Sequence, residues 1–260
     1  MLKLMKRLKF LLIFLALPLI VFAENSPWKV FKSTHFLIYY QSADESTLNE
    51  FAQKAEEYYV KITDDLGFNR FNFWTWDNRV KIFLFDNQKD YSRETGDPGW
   101  SAGQAQVGIK QIKTFITAQG FMDNVLPHEM AHIIFREMVG FNNPGLSLWL
   151  EEGVASFQEQ KDSFVKVDLA NSIKQGNFIN LDSLGRMEVA KIADKQQVKL
   201  FYAESYSLVN YLITSFGKDE FVLFCQNLRD KRNIARALML TYPFNDLKDF
   251  ENSWKDYILR

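Results

Sequence analysis

The hydrophobic period of this chain changes once, near Val125, and that change decides its architecture. Upstream, His35 to Tyr40 and Val80 to Phe85 are short, β-branched and aromatic, the signature of strands. Val107 to Thr117 alternates in part and reads as a third strand. Between the first two, Glu45 to Leu66 has the spacing of a helix, opened by Asp44 or Ser46 and closed by Gly67. Gly96-Asp97-Pro98-Gly99-Trp100 carries turn residues and reads as a loop. From Val125 onward the apolar positions recur at helical intervals to the end of the chain. The expectation is an α+β layout, with a mixed sheet within residues 24–122 and helices over 123–260 in a single domain.

Composition narrows the field by exclusion. The 260 residues are 47% hydrophobic and 24% charged with only 12 Gly and 6 Pro, which removes collagen-like, low-complexity and disordered architectures. That length supports a large core without covalent staples. A formal net charge of −1 offers no basic excess for nucleic acid. The charge is unevenly spread, however. Lys3, Lys6, Arg7 and Lys9 precede a thirteen-residue apolar run from Phe10 to Phe22, and Ala23 then offers a small residue for cleavage. This is the design of a secretory signal peptide over residues 1–23, too short in its apolar part to span a bilayer in the ordinary way. Its removal takes away four basic groups and leaves a mature chain near −5. An exported chain whose sole cysteine is Cys225 cannot close an internal disulfide, and the apolar setting of that thiol marks it as a core residue. The aromatic stretch Phe68 to Trp76 is expected to fold back onto the core.

The chemistry lies in His128-Glu129-Met130-Ala131-His132. On a helix, residues four apart stand one turn above one another, so both imidazoles can meet one metal ion while Glu129 projects beside them as a base. Asp123 or Asn124 is placed to cap such a helix, Pro127 falls in its first turn and Gly140 stops it. Met130, Ile133, Ile134 and Val139 give it an apolar face. Zinc with catalytic power takes three protein ligands and one open position. Leu148-Trp149-Leu150-Glu151-Glu152-Gly153-Val154-Ala155 supplies two carboxylates on a second apolar helix. Neighbouring helical residues point about 100° apart, so one of the two reaches the metal, and spacing does not choose between Glu151 and Glu152.

His-Glu-Met-Ala-His followed by Trp-Leu-Glu-Glu-Gly-Val-Ala resembles the gluzincin metallopeptidases, in particular the bacterial exported peptidase MA-like domain family. The resemblance runs from about Trp100 to the Trp254–Tyr257 segment. It implies a zincin, thermolysin-like catalytic domain holding one Zn2+ through His128, His132 and Glu152, with Glu129 as general base. Nineteen residues separate His132 from Glu152, one more than in the aminopeptidases of this group, and the Asn142–Gly145 loop can absorb the difference. Tyr202-Ala-Glu-Ser-Tyr206 resembles the later helix whose tyrosine steadies the oxyanion, which points to Tyr202 first and Tyr206 second. Gly120-Phe-Met-Asp-Asn124 differs from the amine-holding element of the related aminopeptidases and lies too close to His128 to be it. The expected partner is a peptide or protein substrate in the periplasm or outside the cell, with no nucleic acid and no membrane span after signal cleavage. A catalytically inactive binding or assembly protein on the same fold is the alternative.

Overall fold

In the computed structural model, residues 28–96, 102–118, 120–159 and 168–260 are described. Residues 1–23, expected to be a signal segment, and residues 97–100 of the expected loop lie outside them. Five strands form one sheet in the order β1-β2-β3-β5-β4: β1 Lys29–Lys32, β2 Phe36–Tyr40, β3 Val80–Phe85, β4 Gly103–Gln106 and β5 Gln111–Phe115. The two outer pairs are antiparallel and the two central pairs parallel. Parallel neighbours need a crossover, supplied here by helices α1 (Glu45–Asp65) and α2 (Gln88–Thr95). Asp44 caps α1 by accepting the Thr47 N–H. Phe36, Ile38, Val80, Ile82, Leu84 and Ile112 fill the face turned to the helices, as the two-residue period of a strand requires.

One expectation about strands needs correction. Val107–Ile109 is a turn of 3₁₀ helix and Lys110 is left-handed, so the strand within Val107 to Thr117 is only Gln111–Phe115. That strand lies inside the sheet. The edge next to it is β4, whose Gly-Gln-Ala-Gln sequence has no apolar alternation to announce it; β1 forms the opposite edge. The aromatic stretch does fold inward: Phe68 and Trp74 are fully buried, while Trp76 stays 83% exposed. His35 has a structural setting, stacked on Tyr59 with Nδ1 2.5 Å from Glu56 Oε2.

The second half is helical: α3 Leu126–Val139, α4 Leu148–Phe157, α5 Leu169–Lys174, α6 Leu181–Leu184, α7 Lys195–Phe216, α8 Lys218–Lys231, α9 Ile234–Thr241 and α10 Leu247–Leu259. α3 packs against α1, α4 and α8, and α4 lies along α7. Asn143 fixes the α3–α4 connection, its amide donating to the carbonyls of Val139 and Leu228 while its oxygen accepts the Gly145 N–H. Cys225 is fully buried on α8 and its thiol is pushed well up by that burial, which leaves it inert. One continuous apolar core joins the sheet to these helices. Among the described residues, no helix is long and apolar enough to cross a membrane.

Candidate metal centre

α3 enters the site through an irregular start. Phe121–Val125 forms a π-helical turn in which the Leu126 N–H reaches back to the Phe121 carbonyl. The N-cap of α3 is Val125, without a side-chain cap, so neither Asp123 nor Asn124 plays the capping part expected of it. Pro127 sits in the first turn, where its missing N–H is harmless. Met130, Ile133 and Ile134 are fully buried and anchor the helix. His128 and His132 therefore share the remaining face, with ring centroids 4.8 Å apart and Nε2 atoms 3.1 Å apart.

α4 delivers a carboxylate to the same point. Glu152 Oε2 stands 3.6 Å from His128 Nε2 and 3.9 Å from His132 Nε2. Its neighbour Glu151 turns to the other side of His132, with Oε1 3.7 Å from that ring's Nδ1, and Arg136 holds it there in a two-pronged pair, Nε to Oε1 at 2.7 Å and Nη2 to Oε2 at 2.6 Å. Gly153 lets α4 press onto α7, since a Cβ there would lie 2.3 Å from the Ser205 carbonyl oxygen. Glu159 completes the cluster with Oε1 2.7 Å from His128 Nδ1, a residue that sequence reasoning passed over. No helical period announces it, because Glu159 lies two residues past the end of α4. Such carboxylate–imidazole contacts fix the ring orientation of a metal-binding histidine.

Glu129 faces the sheet edge. Its Oε2 accepts the Ala105 N–H of β4 at 3.0 Å, and burial pushes its carboxyl above the ordinary range against the pull of His128. Tyr202, half-buried on α7, has its hydroxyl pushed up to about 12, first by burial and then by the charges of Glu152, Glu159 and Glu129. It is a hydrogen-bond donor at neutral pH beside those carboxylates. Tyr206 packs near Phe157, and burial and Tyr257, rather than the site's acids, raise its pKa.

The donor set fits a zinc ion. Ligand atoms on a tetrahedron with bonds near 2.1 Å stand about 3.4 Å apart. The three separations here, 3.1, 3.6 and 3.9 Å, bracket that value. Hydrogen bonds to Glu152 and Glu159 overcome burial to raise His128 to about 10, whereas burial and then the neighbouring His128 charge hold His132 near 4. The cluster thus favours one positive charge, on His128, with the His132 ring neutral beside it. Among the described residues this is the single group of His, Cys, Asp and Glu side chains that converge in this way.

Comparisons place the chain among known proteins. Among solved structures it resembles the M1 zinc metallopeptidase of Deinococcus radiodurans. Against a point mutant of that enzyme the TM-score is 0.47 with 12% identity, over 86% of this chain and 48% of the other. Against the second structure of the enzyme the TM-score is 0.43 with 14% identity, over 89% and 50% respectively. The chain thus spans about half the length of those structures. No curated protein sequence matches it. The family model of the Peptidase MA superfamily matches residues 72–260, a stretch that takes in three strands and the whole helical half. The chain belongs to the Peptidase MA superfamily.

Proposed function

We propose that this protein is a zinc-dependent metallopeptidase of the zincin type, an endopeptidase exported from the cytoplasm. The observation that carries the reading is the convergence of His128, His132 and Glu152 beside Glu129 and the free edge of β4, in a chain of the Peptidase MA superfamily. A zinc ion held by these three side chains would supply Lewis acidity, lowering the pKa of water to about 7 and polarising a peptide carbonyl.

The rest falls to the chain's own groups. Ala105 occupies Glu129 Oε2, which leaves Oε1 to take the proton of the attacking water and pass it to the departing amine. A carboxyl raised by burial suits that exchange, because it holds a proton more readily than an exposed glutamate. Tyr202 donates its hydroxyl hydrogen to the oxyanion. Glu159 holds the His128 ring and Arg136 keeps Glu151 out of the way. An extended substrate pairs with the edge of β4, by strand addition.

Two features support internal rather than terminal cleavage. The cavity beside the site, about 380 Å3, is lined by Ala102, Gly103, Asn124, Val125, His128, Glu129 and Glu159, and among the described residues no lysine or arginine lines it to hold a terminal carboxylate. Gly120–Asn124 leads into a helix rather than forming a strand that would present an acid to a free amine. The amino-terminal basic and apolar segments support export, with a mature chain beginning at Glu24. Digestion of a mixed peptide library by the zinc-loaded mature chain tests the activity. Internal cleavage is expected for the wild type and none for Glu129→Gln at equal zinc content. Equal cleavage by both proteins overturns the reading.

A further inference from the structure

Asn124 occupies the place where the sequence calls for a helix cap, yet its side chain caps nothing. Its backbone N–H is satisfied by the Gly120 carbonyl at 3.0 Å. Its carboxamide, half-buried, makes no hydrogen bond among the described residues. The turn that carries it is costly and firmly held. π-helical turns are rare and concentrate at functional sites. This one is pinned by Phe121, 2% exposed, whose ring lies where a Cβ on Gly103 of β4 would come within 2.5 Å. Asn124 lines the same cavity as Ala102, Gly103, His128, Glu129 and Glu159. A residue that breaks the local capping rule with no structural return is best explained by what enters the cavity.

We propose that the Asn124 carboxamide binds the main chain of a peptide lying along β4, fixing the register of the scissile bond over Glu129. The proposal rests on the metallopeptidase reading and adds a substrate-recognition residue to it. The chemistry is complementary: a carboxamide offers two donors and an acceptor, and a peptide unit offers the matching carbonyl and N–H. The half-buried amide is open to the cavity, so substrate takes the place of water on it, an exchange that favours binding by the modest net worth of one hydrogen bond. Being neutral, the amide selects a polypeptide backbone rather than a charged amino terminus.

Two hydroxamates separate this contact from metal binding, with calorimetry on the zinc-loaded mature chain as the readout. Acetohydroxamate presents only the metal-binding group, whereas an N-acetylated dipeptide hydroxamate adds two peptide units. Asn124→Ala is expected to weaken the dipeptide compound about tenfold, the equivalent of one hydrogen bond, and to leave acetohydroxamate and zinc affinity unchanged. Asn124→Asp is expected to favour the dipeptide compound with a free amino terminus over its acetylated form. Unchanged affinity of Asn124→Ala for the acetylated dipeptide overturns the role of Asn124 alone. An equal loss for both hydroxamates overturns it in favour of a purely structural role. Failure of the zinc-loaded wild type to bind either hydroxamate overturns the metallopeptidase reading as well.

Discussion

Glu151 and Glu152 are adjacent in sequence and differently placed, Glu152 between the two histidines and Glu151 on Arg136. Spacing leaves the two equivalent, because what separates them is a third party: Arg136, one turn after His132 on α3, claims Glu151 through both oxygens. His128, Glu129 and His132 are legible from the sequence because a single helix sets their geometry. The fourth residue depends on how two helices pack. Glu152→Gln is therefore expected to abolish tight zinc binding, while Glu151→Gln keeps zinc and loses stability by about 3 kcal/mol, as a mostly buried arginine is left without its carboxylate. Zinc titration and urea unfolding of both variants distinguish these losses. Tyr202→Phe is expected to lower kcat about a hundredfold with little change in KM, the usual consequence of removing one oxyanion donor. Tyr206→Phe, farther from the site's carboxylates in its electrostatic surroundings, is expected to stay within a few-fold of wild type, and steady-state kinetics on both makes the comparison.

The elements differ in how far they are legible, and for physical reasons. β2, β3, α1 and α3 bury one face each, so their apolar periods match their boundaries closely. β4 buries little and is defined by pairing with β5, an interaction that leaves no trace in Gly-Gln-Ala-Gln. The π turn before α3 is likewise set by tertiary packing of Phe121, not by local propensity. At the α4–α7 contact, Gly153→Ala forces a methyl against the Ser205 carbonyl and is expected to destabilise the fold by about 1–3 kcal/mol while loosening the hold on Glu152. Denaturant unfolding with zinc titration measures both effects. The β1–β2 hairpin is tied to α1 by Glu56, which accepts from Ser33 Oγ and the His35 N–H and contacts His35 Nδ1. Burial pushes the Glu56 carboxyl up, but these hydrogen bonds together outweigh it and hold it below its ordinary 4.5. A carboxyl lowered on folding stabilises the native state above the unfolded value and loses that contribution as pH falls through the folded one. Glu56→Gln is thus expected to cost about 1–2 kcal/mol at neutral pH, with the difference from wild type shrinking below about pH 4.5. Unfolding free energies measured across that window check the sign.

At the scale of the whole molecule, one core runs from the sheet into the helices and holds β4, α3, α4 and α7 in register around a small polar cluster. The α+β order was legible because the period changes once along the chain. The mutual placement of the two halves was not, since it rests on contacts between residues far apart in sequence, such as the Ala105 N–H of β4 donating to Glu129 on α3. A site gathered from α3 and α4 and bordered by β4 and α7 exists only in the folded chain, so its metal affinity is coupled to folding. The direct test is the zinc content of the purified mature chain, equilibrated with the ion, dialysed and measured by atomic emission. About one tightly held zinc ion per chain, lost on substitution of His132 by alanine, is the predicted result. A folded chain that retains no zinc, or that retains as much after His132→Ala, contradicts the account.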